Sequence, residues 1–360
     1  MTETKKSSFL PKAGKVLKSP SFIVICILIV MLVITASLQP GFFKPNTINS
    51  TINSFAPLIL LTMGQAIVII AGGLDLSIGY ATSMMVVILT NVMQKDKPET
   101  ALPAILLAFV ACILVGTVNG LCVGYLKLPP LIVTYATSYI WLGIGLFIAP
   151  SPKGSCVPWV RTFYTFSAIQ NLPEGLKDLS KILAPGFWLI IIGCIIWGIV
   201  RRGRTGRYIY AVGSNRDNAY ASGINTSKTQ LKAYIICAVF AFLCALFYAA
   251  QNQSGDARMG NPLTLKSVAA AVIGGIALEG GKGSVYMGIV GAIIYSIVTK
   301  IIFFADISSS YQTLVAGIVV LVAVSASLIF KFIENQQQRP KSLGETLENR
   351  IFTQSQDICH

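Results

Sequence analysis

Long apolar runs separated by short polar stretches dominate the chain between about residues 21 and 331. A helix that crosses a bilayer needs roughly 20 mostly apolar residues. Ten runs come near this length, so the pattern predicts an all-α, polytopic membrane protein of about ten transmembrane helices. The runs are Ser21 to Gln39, Ser54 to Ala71, Ile78 to Met93, Ala101 to Tyr125, Leu131 to Ala149, Pro185 to Val200, Leu231 to Ala250, Lys266 to Leu278, Ser284 to Phe304 and Tyr311 to Lys331.

The eighth and ninth runs are the least regular, because glycines interrupt the stretch that joins them. One of these two runs is equally consistent with a re-entrant segment that does not cross the bilayer. The first run, after Ser21, is interpreted as a retained helix and not as a signal peptide, since no small-residue cleavage site follows it. The interrupting glycines are Gly274, Gly275, Gly280, Gly281 and Gly283.

The distribution of lysine and arginine predicts the orientation in the membrane. Short cytoplasmic segments carry an excess of basic residues, and residues 1–20 contain five lysines. With ten spans both termini are then cytoplasmic, whereas nine spans would place a basic tail outside. We therefore expect a cytoplasmic N-terminal segment at 1–20, a transmembrane domain at 21–331 with a long basic inner loop at about 201–230, and a cytoplasmic tail at 332–360.

Composition supports the membrane assignment and excludes several functions. Hydrophobic residues make up 54% of the chain and charged residues 12%, with a mean hydropathy of +0.70, which is outside the range of ordinary soluble domains. The net charge of +14 does not indicate nucleic-acid binding, because the basic residues flank apolar runs. The eight cysteines form no CxxC pair and the only histidine is His360, so we expect no metal and no bound cofactor.

Groups suited to catalysis are also scarce. Asp75 and Glu279 are the only acids at the ends of spans, and acid–base catalysis needs titratable groups that converge in a pocket. The segment Gly280 to Ser284 lacks the spacing of a nucleotide-binding loop. The chain is therefore predicted not to be an enzyme, and any ATP that drives it must bind another subunit.

A turn is predicted where Ala71 to Gly79 separates two apolar runs. Two glycines, the second being Gly73, precede an acid and a serine, a pattern typical of a helix end followed by a new N-cap. Asp75 or Ser77 would provide that cap. We favour this structural role for Asp75 over direct contact with a transported solute.

The fourth and fifth runs contain the other buried polar candidates. Gly116, Gly120 and Gly124 recur every four residues, which allows close helix packing. Asn119 lies among them and needs a partner, more often in another helix than in a solute. The next run provides hydroxyl and aromatic groups that suit a polyol but serve equally well in helix packing. These are Thr134, Tyr135, Thr137, Ser138 and Trp141, which the sequence does not rank.

The inner loop after Arg201 contains a predicted short helix. Asn215 or Ser214 would cap a helix across Asp217 to Ser222 that ends at Gly223. Its small residues favour docking into a groove of another protein, and a solvated inner loop is the alternative. The candidate docking residues are Asn215, Arg216, Asp217, Ala219, Ala221, Ser222 and Gly223.

From about Thr47 to Phe330 the chain resembles the membrane permeases of bacterial ABC importers for monosaccharides such as ribose, xylose and galactose. The resemblance rests on the order and spacing of four stretches. These are Gly72 to Gly79 (GGLDLSIG), Leu128 to Thr134 (LPPLIVT), Gly213 to Ile224, and the small-residue stretch Ala269 to Ser284. The chain departs from the family in its long outer loop, Pro150 to Lys181, and in the charge at Glu279.

This resemblance implies a multi-pass permease of the bacterial inner membrane, surrounded by lipid, that pairs with a second copy or a paralogue. The helix near Asn215 to Gly223 would be a coupling helix seated in a separate ATP-binding subunit. An extracytoplasmic solute-binding protein would deliver the sugar. Candidates for the translocation path are Gly73, Asp75, Ser77, Asn119, Thr134, Ser138 and Trp141.

Three alternatives remain. Importers of nucleosides or autoinducer-like solutes share the permease architecture. A secondary transporter or channel would usually carry deeply placed ionisable residues, of which this chain has almost none apart from Lys300. A membrane enzyme or scaffold is the least favoured, because no catalytic constellation is present.

Overall fold

The computed structural model describes residues 20–165, 185–305 and isolated positions between 311 and 325. Within these residues the regular structure is helical, which confirms the predicted all-α, polytopic class. The helices are α1 Pro20–Leu38, α2 Pro45–Ile70, α3 Ile78–Val92, α4 Ala101–Gly124, α5 Pro130–Ile148, α6 Pro158–Thr165, α7 Pro185–Arg202, α8 Arg204–Ser214, α9 Arg216–Ala221, α10 Thr226–Asn252, α11 Asn261–Ile273 and α12 Val285–Phe304.

Five of the described helices, α2, α4, α5, α10 and α12, are long and apolar enough to cross a membrane. Helices α7 and α8 meet at a 77° bend and form a sixth candidate if they are counted as one span. The predicted tenth run, Tyr311 to Lys331, lies almost entirely outside the described residues, as do both chain ends. The count of ten spans and the cytoplasmic termini therefore remain predictions.

Helices α3 and α11 are both much shorter than a bilayer is thick. Helix α3 has 15 residues and α11 has 13, and a rise of about 1.5 Å per residue makes each roughly 20 Å long. The hydrocarbon core is about 30 Å thick. Of the two runs that the glycines interrupt, the eighth is thus the short one, because α12 is long enough to span.

Helices α2 and α10 form the centre of the described bundle. Every residue of α2 from Phe55 to Ile70 is buried, and α10 packs along α4 as well as α2. The glycines of α4 allow this approach, since a Cβ added at Gly116 would lie 2.6 Å from the Cα of Ile235. A Cβ added at Gly124 would lie 2.7 Å from the Ser227 carbonyl oxygen, which is also on α10. The close packing predicted from the glycine spacing is confirmed.

Candidate functional site

The break between α2 and α3 turns the chain back alongside α2. Gly72 has a φ of +80°, a conformation that glycine adopts without strain, and the Gly73 N–H donates to the Val68 carbonyl at 2.9 Å. The Gln65 side-chain amide, oriented to satisfy both groups, donates to the Asp75 carbonyl at 3.0 Å and accepts from the Asp75 N–H at 3.2 Å. Asp75 therefore lies beside the last turns of α2 and inside the bundle.

Asp75 begins a chain of buried hydrogen bonds that connects the α2–α3 break with three helices, α4, α5 and α10. Its side chain is 2% exposed, and its Oδ1 accepts from the Ser77 N–H at 2.8 Å and the Ser77 hydroxyl at 2.6 Å. Asn119 Nδ2 donates to Ser77 Oγ at 2.8 Å, and Thr137 Oγ1 donates to Asn119 Oδ1 at 2.7 Å. Cys237 Sγ lies 3.9 Å from Asp75 Oδ2. We call these five residues the polar cluster.

The polar cluster shows what Asn119 bonds to and whether Asp75 or Ser77 caps α3. Asn119 is bonded between helices, as the structural interpretation predicted. Ser77 occupies the N-cap position of α3, but its side chain makes no cap hydrogen bond. Its hydroxyl is bound instead to Asp75, so Asp75 closes a local turn around the Ser77 N–H and does not cap the helix.

The non-helical backbone of this break is satisfied by side chains from other helices. Thr134 Oγ1 on α5 accepts from the Leu76 N–H at 3.0 Å. The Tyr234 hydroxyl on α10 donates to the Leu74 carbonyl at 3.1 Å. Inside a membrane protein such backbone is tolerated only where protein groups or a watery cavity satisfy it. Thr134, a candidate for solute contact, is thus engaged in holding the break.

A second non-helical segment, between α10 and α11, packs against the start of α3. Residues 253–260 join α10 to α11 and lie against α3, so that a Cβ added at Gly260 would come within 1.9 Å of the Gly79 carbonyl oxygen. The Gly79 N–H donates to Thr264 Oγ1 at 3.1 Å, and the Gly260 N–H donates to Ser83 Oγ at 2.7 Å. The first turns of α3 and α11 therefore satisfy each other's N–H groups. Interrupted helices that meet within a bundle are a recurring feature of membrane transporters.

Near the end of α2, three segments of the chain contact one another through backbone atoms. The Gly281 N–H donates to the Ile70 carbonyl at 2.9 Å, and a Cβ added at Gly213 would lie 1.8 Å from that same oxygen. Gly280, with a φ of +88°, leaves only 2.9 Å between a Cβ and the Cα of Gly72. We call Ile70, Gly72, Gly213, Gly280 and Gly281 the glycine junction. It joins the end of α2, the end of α8 and the turn before α12.

Helix α9 follows the glycine junction directly. Asn215 Oδ1 accepts from the Asn218 N–H at 2.8 Å, which confirms the predicted cap. Gly223 lies two residues after the last helical residue, has a φ of +80° and donates its N–H to the Tyr220 carbonyl at 2.9 Å. The bounds of α9, Arg216–Ala221, are one residue earlier than predicted at each end. Arg216 also donates to the carbonyl of Gly124, at 3.4 Å.

The exposed face of α9 differs from the one expected. Ala219 is only 4% exposed and packs against the protein itself, so it cannot contribute to a docking face. Positions two apart on a helix point to different sides, and Ala221 is accordingly exposed. Tyr220 is 74% exposed, so a large side chain, which the pattern of small residues did not predict, dominates the exposed face. Asp217, Ser222 and Gly223 are exposed as well.

The remaining candidates on α5 face the interior. Ser138 and Trp141 are buried; Ser138 Oγ donates to the Tyr135 carbonyl at 2.6 Å, and the Trp141 indole N–H has no hydrogen-bond partner in the described part of the chain. Tyr135 and Tyr139 are more than half exposed, with their hydroxyl oxygens 3.1 Å apart. Tyr139 did not stand out in the sequence, because only its helical position places it beside Tyr135.

The described fold, with its interrupted helices and its exposed loop helix α9, is that of a multi-pass helical membrane protein. No group of three or more His, Cys, Asp and Glu side chains that could hold a metal is found among the residues described. The chain belongs to the family of permease components of branched-chain amino acid transport systems, whose model matches residues 47–324. As a member of this family it is a multi-pass protein of the bacterial inner membrane.

Curated relatives cover most of the chain. The ribose import permease protein RbsC of Escherichia coli is 27% identical over 298 residues, which is 82% of this chain and 90% of the relative. The galactose/methyl galactoside import permease protein MglC of Salmonella typhimurium is 27% identical over 83% of this chain and 91% of its own length. The D-allose transport system permease protein AlsC of Escherichia coli is 28% identical, over 83% and 89%. No solved structure matches the chain.

Proposed function

We propose that this chain is the permease subunit of an ATP-driven ABC importer that moves a monosaccharide across the inner membrane. The family description names branched-chain amino acids, whereas the relatives that match over four-fifths of the chain are named for ribose, galactose and allose. Long alignment with several sugar permeases supports a sugar over an amino acid. The observation that carries the mechanism is the backbone contact between the end of α8, which directly precedes α9, and the end of α2 at the α2–α3 break.

The glycine junction provides a route for coupling. A partner that moves α9 also moves the end of α8, because only Asn215 separates Ser214 from Arg216. Gly213 is in direct contact with the Ile70 carbonyl, so the displacement passes to the end of α2 without a gap to absorb it. Five residues further on lies Asp75, which begins the polar cluster. Rigid movement of packed helices about such a contact gives alternating access.

The work is divided among several subunits in this proposal. A separate ATP-binding subunit hydrolyses ATP and receives α9, while this chain has no catalytic residue and binds no cofactor. Tyr220 joins the exposed candidate docking residues of α9, and Ala219 anchors the helix to the permease domain, 21–331. An extracytoplasmic solute-binding protein delivers the sugar, and a second copy or a paralogue completes the path. Tyr135 and Tyr139 would offer hydroxyl groups along that path.

The test replaces Tyr220 with glutamate in the affinity-tagged chain, expressed with its native partners. We expect Tyr220→Glu to reduce ATP-binding subunit recovery and ATP-dependent uptake of labelled ribose, galactose or allose at least tenfold. Tyr208→Glu, a partly exposed tyrosine on α8, is the matched control and should leave both unchanged. Uptake that follows an ion gradient in vesicles without any ATP-binding subunit would instead establish a secondary transporter.

A further inference from the structure

A cavity of about 550 Å³ lies between α1, α2, α10, α11 and α12. It includes Thr51 near the start of α2, about 30 Å along the helix axis from Ile70 and the glycine junction. Its walls carry several hydroxyl groups and two cations, Lys266 and Lys300. Neither the polar cluster nor α9 takes part in it, so the cavity is a separate site at the opposite end of the described bundle.

No Asp or Glu is among the described residues that line the cavity, so no carboxylate from this part of the lining faces the two lysines. Both lysines are partly buried. Lys300 Nζ donates to Thr51 Oγ1 and lies 5.3 Å from the centre of the Phe42 ring and 5.9 Å from that of Phe304. These partners are neutral, and a hydroxyl or a ring orients an ammonium group without neutralising its charge. Cations within a membrane bundle are costly unless they are paired and usually mark a functional site.

We propose that this cavity binds a solute in which a carboxylate or phosphate group stands beside hydroxyl groups, that is, a sugar acid or a sugar phosphate. The inference rests on the proposed function and narrows its substrate class. Lys266 and Lys300 neutralise the anionic group, and Ser50, Thr51 and Ser54 hydrogen-bond to the hydroxyl groups. The volume falls within the range of roughly 300–1,000 Å³ that is typical of small-molecule pockets.

The hydroxyl-rich wall argues for a polyol. A simple inorganic anion would need the two lysines alone, whereas Ser296, Thr299 and Tyr295 add further hydrogen-bonding groups on α12. Ser296 and Tyr295 can donate to or accept from a sugar hydroxyl, and Thr299, whose Oγ1 donates to the Tyr295 carbonyl at 3.4 Å, can accept from one. The anionic headgroup of a lipid presents the same phosphate chemistry, so the experiment must separate a soluble sugar from a lipid.

The test measures binding to the full chain in nanodiscs of phosphatidylcholine, which has no net charge. Labelled D-gluconate, D-ribose 5-phosphate and D-ribose serve as probes. We expect at least one anionic probe to bind at least tenfold more tightly than D-ribose. Lys266→Gln and Lys300→Gln should each remove that difference, while Lys→Arg at the same positions should retain it. Lys153→Gln, at an exposed lysine outside the cavity, is the charge-matched control and should behave as the parent chain.

Several results would overturn the proposal. Equal binding of the neutral and anionic probes, unaffected by either Lys→Gln change, would remove the anion site. Native mass spectrometry could instead show phosphatidylglycerol retained in a Lys300-dependent manner without gluconate or ribose 5-phosphate binding, which would assign the cavity to a lipid. The Arg variants and a melting curve identify a loss of binding that is caused by misfolding.

Different results would refute the anionic substrate and the proposed importer. ATP-driven uptake of a neutral sugar that is unchanged by Lys300→Gln would refute the anionic substrate and leave the importer intact. Tight gluconate binding without any ATP-driven uptake would support the site and refute the importer.

Discussion

The two ends of α2 are constructed in opposite ways. Around Ile70, the glycine junction leaves no room for a Cβ at Gly213, Gly280 or Gly281, and most of the contacts are between backbone atoms. Around Thr51, the lysine-lined cavity leaves about 550 Å³ open. One end is packed so closely that neighbouring segments must move together, while the other is open and carries charge that nothing in its described lining neutralises. The comparison separates a site for transmitting movement from a site for binding.

Packing at the glycine junction should be the most sensitive feature of the molecule. We expect Gly213→Ala to lower the free energy of unfolding by about 3 kcal/mol, since overpacking a filled site forces backbone shifts. Thermal denaturation of the purified chain measures this. Gly143→Ala in α5 is the control, because no atom lies within 4 Å of its added Cβ. Equal stability of the two variants would show that the junction is not close-packed.

The polar cluster between the two ends should be the next most sensitive. We expect Asn119→Ala to lower the free energy of unfolding by about 2 kcal/mol, because buried Ser77 and Thr137 each lose a hydrogen-bond partner. Asn91 Nδ2 donates to the Val87 carbonyl of its own helix at 2.8 Å and connects no other helix in the described part of the chain, so Asn91→Ala should cost less. The same denaturation curves decide, and a larger loss at Asn91 would contradict the bridging role of Asn119.

At the cavity end of α2, removing the charge of Lys300 should have little effect on the free energy of unfolding. We expect Lys300→Met to change the free energy of unfolding by less than about 1 kcal/mol in either direction, because residues kept for binding contribute little to the fold. Thermal denaturation in the absence of sugar measures it. A loss like that of Asn119→Ala would mean that Lys300 is a structural residue, with its bond to Thr51 as the cause.

The sequence predicted packing better than it predicted exposure. Glycines at a four-residue spacing, such as those from Gly116 to Gly124, indicate that two helices approach closely. The cap at Asn215 depends only on neighbouring residues. Both features could therefore be predicted from the sequence. Contacts between distant segments could not, because nothing local to Gly213 indicates that it meets Ile70. The predicted run Lys266 to Leu278 corresponds to α11, Asn261–Ile273, which begins and ends five residues earlier. The start could not be predicted for a similar reason, because residues 253–260 are held against α3 by tertiary contacts.

The candidate residues were chosen by chemical type, which explains which of them changed role. Hydroxyl groups on a transmembrane helix suit a sugar and suit a neighbouring backbone N–H equally well. Thr134 proved to serve Leu76, whereas Tyr135 faces outward. Ala219 and Ala221 were grouped by size, although two positions on a helix separate their directions. Only the orientation of each side chain distinguishes these uses.

The smallest change in stability is expected on α9, at Tyr220. The neighbouring Ala219 provides a sharp contrast, because Tyr220 is exposed and Ala219 is buried. We expect Tyr220→Ala to change the free energy of unfolding by less than about 0.5 kcal/mol, since exposed side chains contribute little. Ala219→Glu should instead destabilise by more than about 1 kcal/mol, because it buries an unpaired charge against the bundle. If both variants unfold alike, α9 is not fixed in the observed orientation. If they differ as expected, any transport defect of Tyr220→Ala arises at the surface of α9, where a partner must act for its movement to reach the glycine junction.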